Sequence, residues 1–250
     1  MVDGLGLGDA YCATTELIRA QGGDKWRLGM EALMWVGHPE QPLRADELSY
    51  TLAVEIGSTD FNAENVPSMS TLMGCFPGLI IVDKKASTMR LIHFTLKEYL
   101  STNPDIFSRP HSEMAEVCLT YLNSKQVKAI SADPSPDMLD SPFLEYCSLY
   151  WGVHVRRELS DHRMSLALHL LREHDSHISA ERLLEQAEYL TGICTRVSFS
   201  RLHCASFFGI VKVVADRAGM SRYQRRRSYG ESSACTSFSE WTRRSGKNDT

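Results

Sequence analysis

The chain has 250 residues, of which 43% are hydrophobic and 23% are charged, and its formal net charge is −4. These proportions exclude a disordered chain and allow one or two hydrophobic cores. The longest apolar run, around residues 79–82, is far shorter than the roughly 20 residues that a membrane-spanning helix needs, so we expect no membrane segment. Asp3 and Asp9 stand where a secretory signal has its basic flank, which predicts a cytoplasmic protein.

The charge is divided unevenly along the chain. Residues 222–250 contain seven Lys or Arg against three Asp or Glu, so residues 1–221 carry a net charge of −8. An acidic globular part is poorly suited to nucleic acid, and we do not expect a nucleic-acid partner. The basic tail has the composition of a solvated, disordered end, with a localisation signal or a nucleic-acid patch as the alternative.

The N-terminal segment, residues 1–25, is predicted to be a linker. It contains five glycines, and its one amphipathic run covers only residues 14–20. We therefore expect little fixed structure before residue 26.

Residues 26–103 have the pattern of a winged-helix domain. Apolar residues at helical spacing predict three helices, and two β-branched runs joined by a four-residue loop predict a hairpin. A further short helix follows the hairpin. The predicted helices begin at Trp26 and cover residues 44–56, 66–76 and 95–102, and the predicted strands cover residues 79–83 and 88–94.

Residues 104–195 are predicted to form an all-helical arm. Helices are expected near residues 111–123, 141–158, 162–173 and 177–190, with a Pro-, Asp- and Ser-rich loop over residues 131–142. The second of these helices carries four aromatic residues at roughly helical spacing, namely Phe143, Tyr146, Tyr150 and Trp151. Such a stripe is far more often core than ligand site, so we assign these residues packing roles.

No catalytic or metal-binding pattern stands out in the chain. It has no G-x-x-x-x-G-K-[ST], H-E-x-x-H or G-x-S-x-G motif, and its seven cysteines are scattered without C-x-x-C spacing. His174 and His177 could share a helix face as metal ligands, but no Cys or carboxylate pattern accompanies them. We therefore predict a protein that is not an enzyme and that holds no metal or cofactor of its own.

The winged-helix pattern raises DNA binding as an alternative function, because the third helix of that fold often enters the major groove. Residues 66–76 contain no Lys or Arg, whereas neutralising phosphates requires several such charges. Lys84, Lys85 and Arg90 of the predicted wing compensate only weakly. These charges favour another role for the fold.

Three sequence runs resemble the fungal NACHT and ankyrin-repeat proteins, which are NLR-like proteins of the STAND class. The runs are GGDKWRLGMEALMWVGHPEQPLRADEL, LAVEIGSTDFNAENVPS and STMRLIHFTLKEYLS. In that family a P-loop NTPase precedes a winged helix of the GPI inositol-deacylase type, a helical arm and ankyrin repeats. The resemblance extends over residues 20–215 and implies a mainly α chain without its motor, so that ADP or ATP would bind only to a separate NTPase domain.

The segment SRLHCASFFGIVKVV resembles the T-P-L-H-x-A-A-x-x-G-H-x-x-V-V core of one ankyrin repeat. The matching residues are Leu202, His203, Ala205, Gly209, Val213 and Val214. One repeat cannot bury its own hydrophobic face, so the resemblance implies a partial, truncated array over residues 199–221.

The resemblance also singles out His93. In related switch ATPases the winged helix folds over the nucleotide, and a histidine of a Met-His-Asp-type motif contacts the phosphates of bound ADP in the resting state. Residues 91–94 (LIHF) take that place here, with Phe94 where the motif has an acidic residue. An imidazole that donates to a phosphate oxygen makes a charge-assisted bond, which is lost when the domain swings away. The alternative is that His93 caps or packs at the strand end.

Taken together, the resemblance implies a non-catalytic regulatory and protein-interaction module. Its partners would be proteins, including a P-loop NTPase domain in cis or in trans, and the setting would be non-self recognition or cell death. Two other interpretations stay open: a nucleic-acid-binding winged helix, and a free-standing adaptor whose acidic arm and half repeat dock another protein.

Overall fold

The computed structural model describes residues 6–76, 78–133, 141–158, 161–191 and 201–210. Its first part is a winged helix, as the sequence predicts. Four helices precede one two-stranded antiparallel sheet, and a further helix follows it. The elements are α1 (Leu7–Arg19), α2 (Lys25–Gly37), α3 (Ala45–Leu52), a 3₁₀ turn (Ala63–Asn65), α4 (Met69–Met73), β1 (Ile80–Asp83), β2 (Thr88–Leu91) and α5 (Phe94–Thr102).

The wing is the β1–β2 hairpin, and its register pairs Ile80 with Leu91 and Asp83 with Thr88. The residues before α3 extend this sheet, because Met89 donates its N–H to the carbonyl of Leu43 at 2.7 Å. The second strand ends at Leu91 rather than at Phe94. The reason is local, since His93 caps α5 and turns the chain into that helix.

The linker prediction for the N-terminus is wrong for α1. Tyr11, Thr15 and Ile18 lie at helical spacing, and all three are buried. The hydroxyl of Tyr11 is 2.8 Å from Thr95 Oγ1 on α5, and Gln21 donates to the carbonyl of Cys75 at 2.7 Å. Gly6 is the N-cap of this helix, Gly8 lies in its first turn, and Gly22 and Gly23 follow its end, so these glycines do not interrupt it. The buried stripe of this helix therefore begins at Tyr11, before the amphipathic run at residues 14–20 from which the linker was predicted.

The helical arm contains the four expected helices and one more. They are α6 (Pro110–Leu122), α7 (Lys125–Ala132), α8 (Pro142–Arg157), α9 (Asp161–Arg172) and α10 (Ile178–Thr191), with a 3₁₀ turn at His174–Ser176. The sequence prediction missed α7, whose start is capped by Ser124 Oγ accepting from the N–H of Val127 at 3.4 Å. The loop predicted to begin at residue 131 therefore begins after Ala132, and residues 134–140 lie outside the described residues.

The winged helix and the arm share one hydrophobic core within the described residues. Trp35 of α2 is buried, and its ring meets those of Phe143 and Tyr146 of α8 edge-on, with centroids 5.6 and 5.7 Å away. The four aromatic residues predicted to pack along α8 are all buried. The packing prediction for this stripe is thus confirmed, and its partner is the winged helix itself.

The last described element is α11 (Arg201–Phe207), which lies against the arm. Phe208, which follows α11, is buried, with its ring centroid 4.9 Å from that of Trp151. The Phe208 ring covers Gly152 so closely that a Cβ at Gly152 would overlap it. A glycine in the middle of α8 is therefore what lets α11 dock.

We predict that Gly152→Ala destabilises the protein. Overpacking a buried contact costs about 1–3 kcal/mol, of which alanine's higher helix propensity recovers up to ~1 kcal/mol. Urea unfolding should therefore show a loss of about 1–2 kcal/mol. The matched control is Gly8→Ala in α1, where nothing lies within 4 Å of the added Cβ, and it should leave stability unchanged or raised. Equal effects of the two substitutions would contradict this account of α11 docking.

Candidate functional site

His93 lies at the end of the wing, where it caps α5. Its Nδ1 accepts from the N–H of Thr95 at 3.3 Å and is 2.8 Å from Thr95 Oγ1. Because Nδ1 accepts the amide N–H, the proton of the neutral ring is on Nε2. The side chain is exposed. The capping role that the sequence left open for His93 is therefore present, and the ring still has a donor on its outer side.

Exposed apolar side chains lie on the wing and at the start of α5. We call Ile81, Ile92, His93 and Phe94 the wing face. Ile92 is 51% exposed, Phe94 is 67% exposed, and the rings of His93 and Phe94 have centroids 4.5 Å apart. Exposed apolar patches of this kind on a folded domain mark interaction sites when they are contiguous.

Thr95 orients the ring of His93, because its amide and its hydroxyl both contact Nδ1 of that ring. Phe94, which lies between the two residues, carries no charge. Thr95 is in turn held by the hydroxyl of Tyr11, 2.8 Å away on α1. Helix α1, which the sequence does not predict, thus supports the orientation of His93 through Thr95.

The charges around the wing are few. In the hairpin, Arg90 pairs with Asp83 at 3.1 Å, and the exposed lysines Lys84 and Lys85 lie in the turn. Helix α4, which occupies the place of a recognition helix, lies within the segment 66–76 that has no Lys or Arg. The described wing therefore lacks the cluster of cations that phosphate contacts along DNA require.

A second polar site, partly buried, lies where the winged helix meets the arm. It joins the connection between α2 and α3 to the start of α6 and to α8. We call it the joint cluster, and its members are Glu40, His111, Tyr146, His154 and Arg157. His111 Nδ1 and His154 Nδ1 are 2.9 Å apart, His154 Nε2 is 3.0 Å from the Tyr146 hydroxyl, and Arg157 NH1 is 3.1 Å from His111 Nε2.

The hydrogen bonds of the joint cluster have one possible direction at neutral pH. Arg157 can only donate, so His111 Nε2 must accept and the proton of His111 is on Nδ1. That proton is donated to His154 Nδ1, which leaves the proton of His154 on Nε2, from which it is donated to the oxygen of Tyr146. The same oxygen accepts the N–H of Glu40 at 3.2 Å, and the Glu40 carboxylate pairs with Arg157 at 2.9 Å.

Burial sets the protonation of these groups. Desolvation, followed by the charge of Arg157, lowers the pKa of His111 to about 4. Desolvation also lowers the pKa of His154 well below its ordinary value, with the neighbouring His111 and Arg157 adding to the effect. The pKa of Glu40 is raised by burial, which the nearby Arg157 opposes. Both rings are therefore neutral at physiological pH.

The joint cluster brings three ligand-type side chains together, because atoms of Glu40, His111 and His154 lie within 4.8 Å of one another. Its hydrogen bonds do not suit a divalent ion. A metal on His111 Nδ1 would force the ring proton onto Nε2, facing the N–H of Arg157, and the guanidinium already supplies a positive charge beside Glu40.

The histidine pair that the sequence offered as metal ligands does not share a helix face. His174 lies in the 3₁₀ turn and His177 between that turn and α10. His177 is buried, with Nδ1 2.8 Å from Ser179 Oγ and Nε2 2.9 Å from the carbonyl of Leu122. Both of its nitrogens are thus occupied by the packing of the arm.

The ankyrin-like residues fall partly within the described structure. Leu202, His203 and Ala205 lie on α11, where Ala205 is buried, and Gly209 follows with φ of 70°. The N–H of Ile210 donates to the carbonyl of Ala205 and that of Gly209 to Ser206, which is the Schellman ending of a helix at a left-handed glycine. The side chains of Leu202 and His203, the whole of Val213 and Val214, and the tail 222–250 lie outside the described residues.

Residues 17–115 match the family model of the GPI inositol-deacylase winged helix domain. This part of the chain is similar to that family, and its fold is a winged helix. The match begins within α1 and ends within α6, so it extends beyond the 26–103 predicted from the sequence and includes the helix that supports Thr95 and the segment carrying His111. No curated protein and no solved structure matches the chain. Among the described helices, none has the length and apolar character needed to cross a membrane.

We predict that Tyr146→Phe destabilises the protein by about 1–3 kcal/mol, because it leaves the buried N–H of Glu40 and Nε2–H of His154 without their acceptor. The matched control is Tyr150→Phe on the same helix, whose hydroxyl donates a single bond to Gln41 at 3.1 Å. We expect that control to cost about 1 kcal/mol or less. Urea unfolding measures the free energy of unfolding of both variants. A loss for Tyr146→Phe that is equal to or smaller than that for Tyr150→Phe would contradict the hydrogen-bond directions assigned to the joint cluster.

Proposed function

We propose that this chain is the non-catalytic regulatory and protein-interaction arm of a NACHT-type signal-transduction ATPase. Its setting would be non-self recognition or cell death, and its NTPase motor would act in cis or in trans. The observation that carries the proposal is the exposed His93 at the end of a winged helix that is similar to the GPI inositol-deacylase family. The resemblance of the surrounding runs to NACHT and ankyrin-repeat proteins supplies the partner.

The position and exposure of His93 on the wing face suit contact with the phosphates of a bound nucleoside diphosphate. Thr95 holds His93 through Nδ1, which directs the Nε2–H away from the wing and toward a partner. A phosphate oxygen would accept that proton in a bond strengthened by its negative charge. The exposed rings and methyl groups of Ile92 and Phe94 would supply apolar contact around it.

The packing between winged helix and arm supports a role in signal transmission. Because Trp35 of α2 packs among the aromatic side chains of α8, the two parts would move together when the wing leaves its partner. At the far end of the arm, Phe208 docks the ankyrin-like segment on the same helix. A ligand bound by ankyrin repeats would thereby act on the wing through α8.

We predict that the chain binds a P-loop ATPase. The full chain, tagged and recovered from its own cells in the presence of ADP, should retain such an ATPase, which mass spectrometry would identify. A double variant of the wing face, Ile92→Ser with Phe94→Ser, should lose it. The control Ile56→Ser, which changes an apolar residue of similar exposure outside the wing, should retain it.

Within the recovered complex, His93→Ala should speed the release of ADP, because the phosphate loses a charge-assisted donor worth about 1.5–3 kcal/mol, or roughly 10- to 150-fold in rate. Unchanged ADP release would exclude the phosphate contact. Failure of every bait to recover an ATPase would favour the free-standing adaptor instead.

A DNA-binding assay separates the proposed ATPase-binding role from the nucleic-acid alternative. A fluorescent DNA duplex at low salt should show no binding through the wing. The exposed lysines of the described wing are Lys84 and Lys85 in its turn, and Arg90 is paired with Asp83. If binding occurs, its dependence on salt and on two variants locates it. Loss with Lys84→Ser and Lys85→Ser would favour the nucleic-acid alternative, whereas loss with Arg225, Arg226 and Arg227 changed to Ser would place it in the basic tail.

A further inference from the structure

We propose that the joint cluster is a proton-sensitive lock, which holds the α2–α3 connection of the winged helix against the arm at neutral pH and releases it on acidification. The cluster spans three separate parts of the chain: Glu40 follows α2, His111 begins α6, and Tyr146, His154 and Arg157 belong to α8. It is therefore placed to hold the winged helix to the arm.

The geometry leaves no room for an additional proton. The two Nδ1 atoms of His111 and His154 face each other at 2.9 Å and share one proton between them. If His154 were protonated, its Nδ1–H would face the Nδ1–H of His111 across that distance. If His111 were protonated, its Nε2–H would face the N–H of Arg157 at 3.1 Å. Protonation of either ring thus replaces one hydrogen bond by a repulsion inside the cluster.

The charges that face the histidines oppose protonation more than they favour it. The carboxylate of Glu158 is already engaged, since it accepts the N–H of Ser112 at 2.7 Å, and that of Glu40 is paired with Arg157. The titratable and charged groups that face the cluster are His38 at the end of α2, Glu40 in the connection, Lys97 on α5, and Arg156, Arg157 and Glu158 on or beside α8.

The direction of the pH dependence follows from linkage. The pKa values of His111 and His154 are lowered in the closed cluster, and in an open, solvated one they would return toward 6.5. The closed form is thus fully favoured above pH ~6.5 and loses stability as the pH falls from there toward about 4. Over that window the open form gains roughly tenfold per pH unit for each histidine.

The opening is expected to be local. His111 is partly buried and Arg157 is half exposed, so the cluster lies near the surface. The aromatic contacts of Trp35 with Phe143 lie on the inner side and contain no titratable group. Acidification should therefore free residues 38–41 and the start of α6, while Leu43 stays bonded to Met89 and the wing hairpin stays folded.

Hydrogen exchange of the full chain, measured by mass spectrometry at pH 7.5 and 5.5 and corrected for the intrinsic rate, tests the lock. Peptides covering residues 38–41 and 109–113 should lose at least tenfold in protection at the lower pH, and peptides covering the β1–β2 hairpin should not. Equal loss in both regions, or no loss in either, would overturn the proposal.

Two variants make the test specific. Arg157→Met removes the cation beside His111 and frees Glu40 to pair with a protonated ring in the closed cluster, so the pH at which protection is lost should fall. It changes a half-exposed side chain, which makes misfolding a small risk. His169→Gln is the control, because its ring lies outside the cluster and contacts Asn123; it should leave the transition in place. An unshifted transition in Arg157→Met would refute the lock.

Discussion

The rest of this structure depends on the insertion of Trp35 among the aromatic side chains of α8. Trp35 comes from the first core helix of the winged helix, while Phe143 and Tyr146 belong to the arm, and their edge-on contacts join the two parts into one core. Aromatic pairs of this kind contribute beyond the area that they bury. The wing, the arm and the docked α11 are all positioned relative to this contact.

The same contact brings polar groups into the interior, and they must then satisfy one another. Tyr146 has its ring in the aromatic cluster and its hydroxyl in the joint cluster, where it accepts from Glu40 and His154. Because a buried donor without a partner is costly, every member of such a network constrains the others. Arg157 fixes the direction of the network, since a guanidinium cannot accept a hydrogen bond. Packing and polar order at this joint are therefore one feature of the fold.

Much of the fold could be predicted from local patterns, whereas the joint cluster could not. The spacing of apolar residues indicated the hairpin, the winged-helix helices and the α8 stripe, because those patterns reflect contacts within one element. The early part of α1 was missed because glycines at its ends outweighed the spacing of Tyr11, Thr15 and Ile18. Glu40, His111 and His154 lie far apart in the chain and carry no shared motif, so only the packing of α2, α6 and α8 brings them together. For His93 the sequence supplied the position, and the structure added Thr95 as the residue that orients it.

The central claim is that the winged helix is a nucleotide-dependent docking element for an ATPase. The most direct test is isothermal titration of the full chain into a NACHT-type ATPase domain from the same cells, loaded in turn with ADP and with a non-hydrolysable ATP analogue. The account predicts binding that is tighter in the ADP state, because the Nε2–H of His93 and the wing face would meet the diphosphate in that state. Equal affinity in the two states, or no binding in either, would contradict it.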